Sequence, residues 1–332
     1  MAEIDTTIVV VPRERFSFTA LSLESIYEHT HFPFRLIYVD GGSPSTVRKY
    51  LKNKSREKGF TLIRTNHYLP PNEARNLGLQ QVTTKYVVFI DNDVLVTPGW
   101  LEALVRCADE TEAWVVGPLY LIGPPEQQRI HMAGGAAHIE DAAGERRFYE
   151  NHRWSGKHLR EVEPLHREPC ELVEFHCLLA RSECFAQLGP LDESLLSLQE
   201  HIDLCWMVRA RGGTVYFEPD SIISYMPPLS ISWSDMFYFM LRWSENWNAS
   251  SLKHFQKKWQ INDDDPGIAI VRNWSTTHRR RFLWQLRPYV DRLSKGRAYY
   301  IEQQLLSPLE MRISRYVNRW IHRRRATHQG SL

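Results

Sequence analysis

Over the first hundred residues, short apolar runs alternate with amphipathic stretches. Residues 7–11 (Thr-Ile-Val-Val-Val) are almost wholly β-branched and stop at Pro12, which predicts a strand. Comparable runs occupy 35–39, 60–64 and 86–90. The last of these, Tyr86-Val87-Val88-Phe89-Ile90, is apolar throughout, as suits a strand covered on both faces. Between the runs lie segments with helix signals. Residues 16–28 have Ser17 or Thr19 near their start, and 45–58 are polar and end at Gly59. Residues 71–81 carry a proline in the first turn, where its missing N–H costs little, and 98–109 form the next helix. Strands separated by helices of this length predict right-handed βαβ units and a mostly parallel sheet.

The pattern loosens after Trp114. Glycine and proline are frequent over 117–135, and the polar stretch 140–169 is expected to cross the surface. Strand signals return at 171–181 and 214–218, and helix signals at 182–188 and 200–211. Beyond residue 229 the chain becomes helical, aromatic and then basic. Over 308–325, Leu309, Ile313, Tyr316/Val317 and Trp320/Ile321 recur at helical spacing, with Arg312, Arg315, Arg319 and Arg323 on the other face. Docking on the body, a homo-oligomer contact and contact with a membrane surface all remain open for this helix. The expected organisation is 1–110 and 111–228 as two halves of an α/β domain, with 229–332 as a helical extension.

Composition narrows the class. With 332 residues, 43% hydrophobic and 24% charged, the chain reads as soluble and globular. No apolar run reaches the ~18 residues of a membrane span. The acidic start leads straight into a strand, so no secretory leader is expected. Five cysteines without a Cys-x-x-Cys pair suggest a reduced, cytoplasmic setting with no structural zinc. The net charge of +2 hides an asymmetry: residues 271–332 hold 14 Lys+Arg against 3 Asp+Glu. Peripheral contact with a membrane surface is one outlet for that charge; nucleic acid is not expected, because no recognition module accompanies it.

Candidate chemistry gathers at the carboxyl ends of predicted strands, where open α/β sheets bind ligands. Asp91-Asn92-Asp93 follows the 86–90 run and sets two carboxylates at one rim, a pattern suited to a divalent cation carrying a diphosphate or to an acidic turn. Asp40-Gly41-Gly42-Ser43 allows a ligand to approach the backbone. Arg75 can reach a phosphate with its planar fork. Glu200-His201-Ile202-Asp203 opens a helix with residue types suited to a general base. His131, His176, Trp100 and Trp154 are further candidates, the tryptophans for stacking on sugar faces.

The ordered set Val-Asp-Gly-Gly-Ser (39–43), Ala-Arg-Asn-Leu-Gly (74–78), Phe-Ile-Asp-Asn-Asp (89–93) and Glu-His-Ile-Asp-Leu (200–204) resembles family-2 glycosyltransferases of the GT-A fold. Thr-Pro-Gly-Trp-Leu (97–101), Leu-Gly-Pro-Leu-Asp-Glu (188–193) and Val-Tyr-Phe-Glu-Pro (215–219) extend the likeness across residues 6–228. The resemblance implies a Rossmann-like, mostly parallel sheet flanked by helices. It also implies inverting transfer from a nucleoside-diphosphate sugar, UDP-linked by preference, to a hydroxyl of a glycan, lipid-linked or small-molecule acceptor. A retaining transferase and a non-catalytic nucleotide-sugar-binding protein are the alternatives. By resemblance, Pro12, Asp40, Gly41, Arg75, Asp91, Asn92 and Trp100 line the donor, and Asp91 and Asp93 hold Mn2+ or Mg2+. Glu200, His201 and Asp203 are the catalytic candidates; His201 stands where the family has an aspartate, and Glu200 is preferred as the base. The histidine that relatives place after the last strand is missing, since Ser224-Tyr225-Met226 stands there.

Overall fold

The computed structural model describes residues 4–142, 145–227, 231–281, 283, 287–294 and 297–329. Its first half alternates β1 (Thr6–Val11), α1 (Thr19–His29), β2 (Arg35–Gly41), α2 (Ser45–Lys58), β3 (Thr61–Thr65), α3 (Pro71–Leu79) and β4 (Tyr86–Asp91). A short β5 (Val94–Val96), α4 (Trp100–Thr111), β6 (Val115–Ile122), β7 (Ile130–Met132) and a β8 (Gly135–Ala142)–β9 (Glu145–His152) hairpin follow. Then come β10 (Glu168–Cys170), β11 (Cys177–Arg181), α5 (Cys184–Leu188), α6 (Glu200–Ala210) and β12 (Val215–Tyr225). The remainder is helical: α7 (Trp233–Arg242), α8 (Glu245–Trp259), α9 (Pro266–Arg279), α10 (Arg287–Ser294), α11 (Ala298–Ile301) and α12 (Ser307–Gln329).

One mixed sheet runs in the order β10-β12-β6-β11-β4-β1-β2-β3, with β5 and β7 attached at β12 and β6. β1 and β4 lie inside it and are buried at every position, which accounts for their unbroken apolar runs. Gly78 lets α3 lie against β1, because a Cβ there would come within 2.3 Å of a Val9 methyl. Gly59 ends α2 in the left-handed region, as the sequence predicts.

β1, β2, β3 and β4 are mutually parallel, so Val11, Gly41 and Asp91 share one rim. β11 is antiparallel to both of its neighbours. Its amino end, preceded by His176, therefore reaches the rim that carries Asp91, and the Asp91 N–H donates to the His176 carbonyl at 3.1 Å.

One expectation changes. Residues 140–169 do not simply cross the surface: they supply β9, which pairs with β8 and buries Phe148. The glycine-rich stretch after Trp114 contains β6. Gly117 and Pro118 lie beyond the β11 pairing, which ends at Val116, so the missing proline N–H breaks no bond on that side.

The carboxy-terminal helices fold back over the rim. Asp235 of α7 accepts from the Phe16 N–H at 2.7 Å, and the Tyr238 hydroxyl donates to the Pro12 carbonyl at 3.1 Å. α12 packs inside out: Ser307, Glu310, Ser314 and Asn318 are buried, while Leu309, Ile313, Tyr316 and Trp320 face outward.

Candidate active site

Asp91 and Asp93 are both fully buried but differ in their surroundings. Arg13 and Arg75 each donate to Asp91 at 3.2 Å, on opposite carboxylate oxygens, and His176 Nδ1 lies 3.4 Å from Oδ2. Burial pushes the Asp91 carboxyl up, but His176 and the two arginines outweigh it and hold it below the usual range. Neither oxygen of Asp93 has a hydrogen-bond partner. Burial, with Glu14 and Asp91 close by, pushes its carboxyl well above the usual range against Arg13 and Arg15. A buried carboxylate left in this state lacks a positive partner.

A divalent cation fits that gap. Asp91, Asp93 and His176 offer ligand atoms within 4.8 Å of one another, and His176 Nδ1 is also without a hydrogen bond. His176 thus offers a nitrogen to that gap from just before β11 and not from the end of β12. In the latter place, the Tyr225 hydroxyl donates to Glu14 at 2.7 Å and its ring lies 4.0 Å from that of His176. Burial, helped by Arg13, brings His176 down to about 4, so its imidazole is neutral and able to ligate.

Asn92 turns away from the ligand side. Its side chain accepts from the Arg13 N–H at 3.1 Å and donates to the Arg15 carbonyl at 2.8 Å, fixing the loop that carries both arginines. Glu14, between them, is fully buried and accepts from Trp243 Nε1 at 2.7 Å, with His278 Nε2 at 2.9 Å. Arg75 also lies over the Phe175 ring at 3.8 Å. Asp40 accepts from the Ser43 N–H and hydroxyl, each at 2.9 Å, and pairs with Arg64, so it shapes the turn after β2. Gly41 lies under Leu69, and Pro12 is held by Tyr238.

Trp100 requires a correction. It is fully buried and donates from its indole to Thr30 at 2.9 Å, so it packs the core and offers no face to a sugar. Trp154 is 40% exposed in the turn after β9.

Across the rim, Gln199, in the left-handed region at φ 67°, delivers Glu200 and His201 at the start of α6. Glu200 is paired with Arg242 of α7 at 3.2 Å, and both are nearly buried. His201 Nε2 is buried without a partner, and burial lowers the imidazole below its ordinary value against the pull of Glu174 and Glu150. Asp203 points away: its carboxylate receives Lys258 and Trp259 Nε1, each at 2.8 Å, and ties α6 to α8.

Linking the two sides is a histidine–glutamate chain that the sequence motifs do not reveal. Glu174 meets His131 at 2.8 Å, His176 at 3.4 Å and His152 at 3.8 Å. His152 meets Glu150 at 3.1 Å, and Glu150, His152 and His201 lie together. His131 and His176 are visible in the sequence as single residues; Glu150 and His152 are hidden in the polar stretch.

Residues 7–160 match the family model of Glycosyl transferase family 2. A pre-mycofactocin glycosyltransferase of Mycobacterium tuberculosis is 26% identical over 191 residues, 58% of this chain and 37% of that protein. An uncharacterized glycosyltransferase of Rickettsia bellii is 26% identical over 134 residues, 40% of this chain and 18% of that protein. The chain thus spans well under half the length of these curated relatives. Among solved structures, GalNAc-T7 with UDP, GalNAc and Mn2+ has a TM-score of 0.54 at 14% identity, covering 83% of this chain and 55% of that one. The mannosyltransferase PcManGT of Pyrobaculum calidifontis, in complex with GDP-Man and Mn2+, has a TM-score of 0.52 at 13% identity, covering 96% and 88%. With its mixed sheet and these matches, the chain has the GT-A fold, and its residues 7–160 are similar to glycosyl transferase family 2.

Proposed function

We propose that the chain transfers a sugar from a nucleoside-diphosphate sugar, UDP-linked in the first instance, to an acceptor hydroxyl with inversion at the anomeric carbon. The observation that carries this reading is the unpartnered Asp93 carboxylate beside Arg13 and Arg15, across the rim from an unpartnered His201 nitrogen. Asp93 and His176, with Asp91 behind them, would hold a divalent cation, which when bound acts as a Lewis acid toward the diphosphate. Arg13 and Arg75 are held in place by Asp91 and present cationic guanidinium edges to the same phosphates. The Gly41–Gly42 turn and Pro12 form the wall on which the nucleoside rests.

The base is His201. Glu200 already pairs with buried Arg242, whereas neutral His201 in its Nδ1–H tautomer leaves Nε2 free to accept a proton. The acceptor oxygen attacks the anomeric carbon, the bond from that carbon to the diphosphate oxygen breaks, and the acceptor proton passes to His201. The nucleoside diphosphate leaves with the bonding electron pair. Glu200 then positions the start of α6 through Arg242.

Separate His201→Ala and Glu200→Gln variants test the assignment in a transfer assay with product NMR. Loss of transfer in His201→Ala together with an inverted product supports it. Wild-type transfer by His201→Ala refutes His201 as base, and net retention refutes direct displacement.

A further inference from the structure

The inverted packing of α12 leaves a row of large apolar side chains on the surface. Leu309, Ile313, Tyr316 and Trp320 are 53%, 47%, 67% and 40% exposed. The Trp320 ring lies 6.0 Å from that of Phe237 on α7, and Trp233, one turn earlier on α7, is 86% exposed. The row is therefore continuous across two helices. Isolated exposed apolar residues are ordinary, but a connected row of aromatic and aliphatic side chains marks a contact surface. The face of α12 that does dock is polar, with Glu310 beside Arg279 Nε at 2.9 Å.

Beside the row, α8, α9 and α12 flank an open cavity of about 680 Å3 lined by Arg279, Arg312, Arg315 and Arg319. Asn318 also lines it, and its buried Oδ1 has no partner. Glu310 engages Arg279, and Glu245, the one carboxylate in the lining, holds Arg315 at 2.8 Å. Arg312 and Arg319 carry the remaining positive excess.

We propose that this face docks on a membrane surface containing anionic phospholipid, with a lipid phosphate in the arginine-lined cavity and the aromatic row at headgroup depth. Guanidinium forks match phosphate oxygens, and tryptophan and tyrosine favour the membrane–water boundary. The basic excess over residues 271–332, 14 Lys+Arg against 3 Asp+Glu, complements such a surface. A second copy of the chain complements it less well, because a two-fold contact through this row brings the arginine-rich edges of both copies together. Among the described residues no helix is long and apolar enough to cross a membrane. The inference does not depend on the transfer chemistry.

The test is co-sedimentation of the full chain with vesicles of phosphatidylcholine alone and of phosphatidylcholine mixed with phosphatidylglycerol. Binding is expected on the mixed vesicles only, weakening with salt. Ile313→Glu/Tyr316→Glu removes it, and each of Arg312→Gln and Arg319→Gln lowers partitioning about five-fold, the equivalent of about 1 kcal/mol per basic residue. All four positions are exposed, and unchanged thermal melting confirms that the variants fold. Partitioning that is equal on both vesicle types, absent from both, or unchanged in the Arg312→Gln/Arg319→Gln double variant overturns the proposal. So does stabilisation by inorganic phosphate without vesicle binding, which marks a free-phosphate site. A dimer in light scattering that Ile313→Glu dissociates, with no vesicle binding, assigns the face to a second copy and overturns it as well.

Discussion

Replacing Asp93 by Asn is expected to stabilise the protein when divalent cations are absent and to remove the stabilisation that they give to wild type. The first effect comes from the two Asp93 oxygens, which are buried and lack hydrogen-bond partners beside Glu14 and Asp91. A buried, unsatisfied polar group costs about 1–3 kcal/mol, more when charged. An Asn amide is neutral without having to take up a proton and can donate to the neighbouring carboxylates. At about 2 °C per kcal/mol for a chain of this size, the melting temperature in EDTA should rise by about 2–6 °C. The second effect is linkage: Mn2+ at a hundred times its dissociation constant stabilises wild type by about 2.7 kcal/mol, or about 5 °C. Asp93→Asn should lose nearly all of that gain. Scanning fluorimetry of both proteins in EDTA and in Mn2+ reads both effects. A lower melting temperature for the variant in EDTA, or equal Mn2+ shifts in the two proteins, refutes the reasoning.

Arg242→Met leaves Glu200 buried without its cation, and urea unfolding should show a loss of about 3–5 kcal/mol. Gly78→Ala places a methyl group 2.3 Å from a Val9 methyl and should cost about 1–3 kcal/mol in the same experiment. His152, held between Glu150 and Glu174 and raised to about 9, binds its proton more tightly folded than unfolded. Its stabilisation is therefore full below about pH 6.5 and disappears as pH rises toward 9. His152→Gln should lower the melting temperature at pH 6 and leave it nearly unchanged above pH 9; an equal loss at both pH values contradicts the charged pair.

The first half of the fold was legible because it rests on local signals. β1 and β4 announce themselves as buried runs, Gly59 as a helix stop, and Pro71 as a first-turn residue. The Asp91–Asp93 triplet could be placed at a strand end from pattern alone. The strand direction of β11 could not, because an apolar run carries no sign of which neighbour it pairs with. That single unknown hid His176 as a partner of Asp91 and Asp93, while Tyr225 filled the place where a histidine was sought. Contacts between distant segments were equally silent: Glu14 meets His278 across 264 positions, and Glu200 meets Arg242 across 42. Trp100 misled because an indole near a motif looks the same in sequence whether it stacks on a ligand or fills the core. In α12 the helical period was legible, but which face docks depends on the polar partners Arg279 and Glu310, and those are tertiary.

Release of nucleoside diphosphate from a panel of nucleotide sugars, with Mn2+ and then with EDTA, tests the central claim most directly. The account predicts release from at least one donor, abolished by EDTA, restored by Mn2+, and reduced at least about a hundred-fold in Asp93→Ala. Release that is indifferent to EDTA, or that proceeds in Asp93→Ala at the wild-type rate, contradicts it.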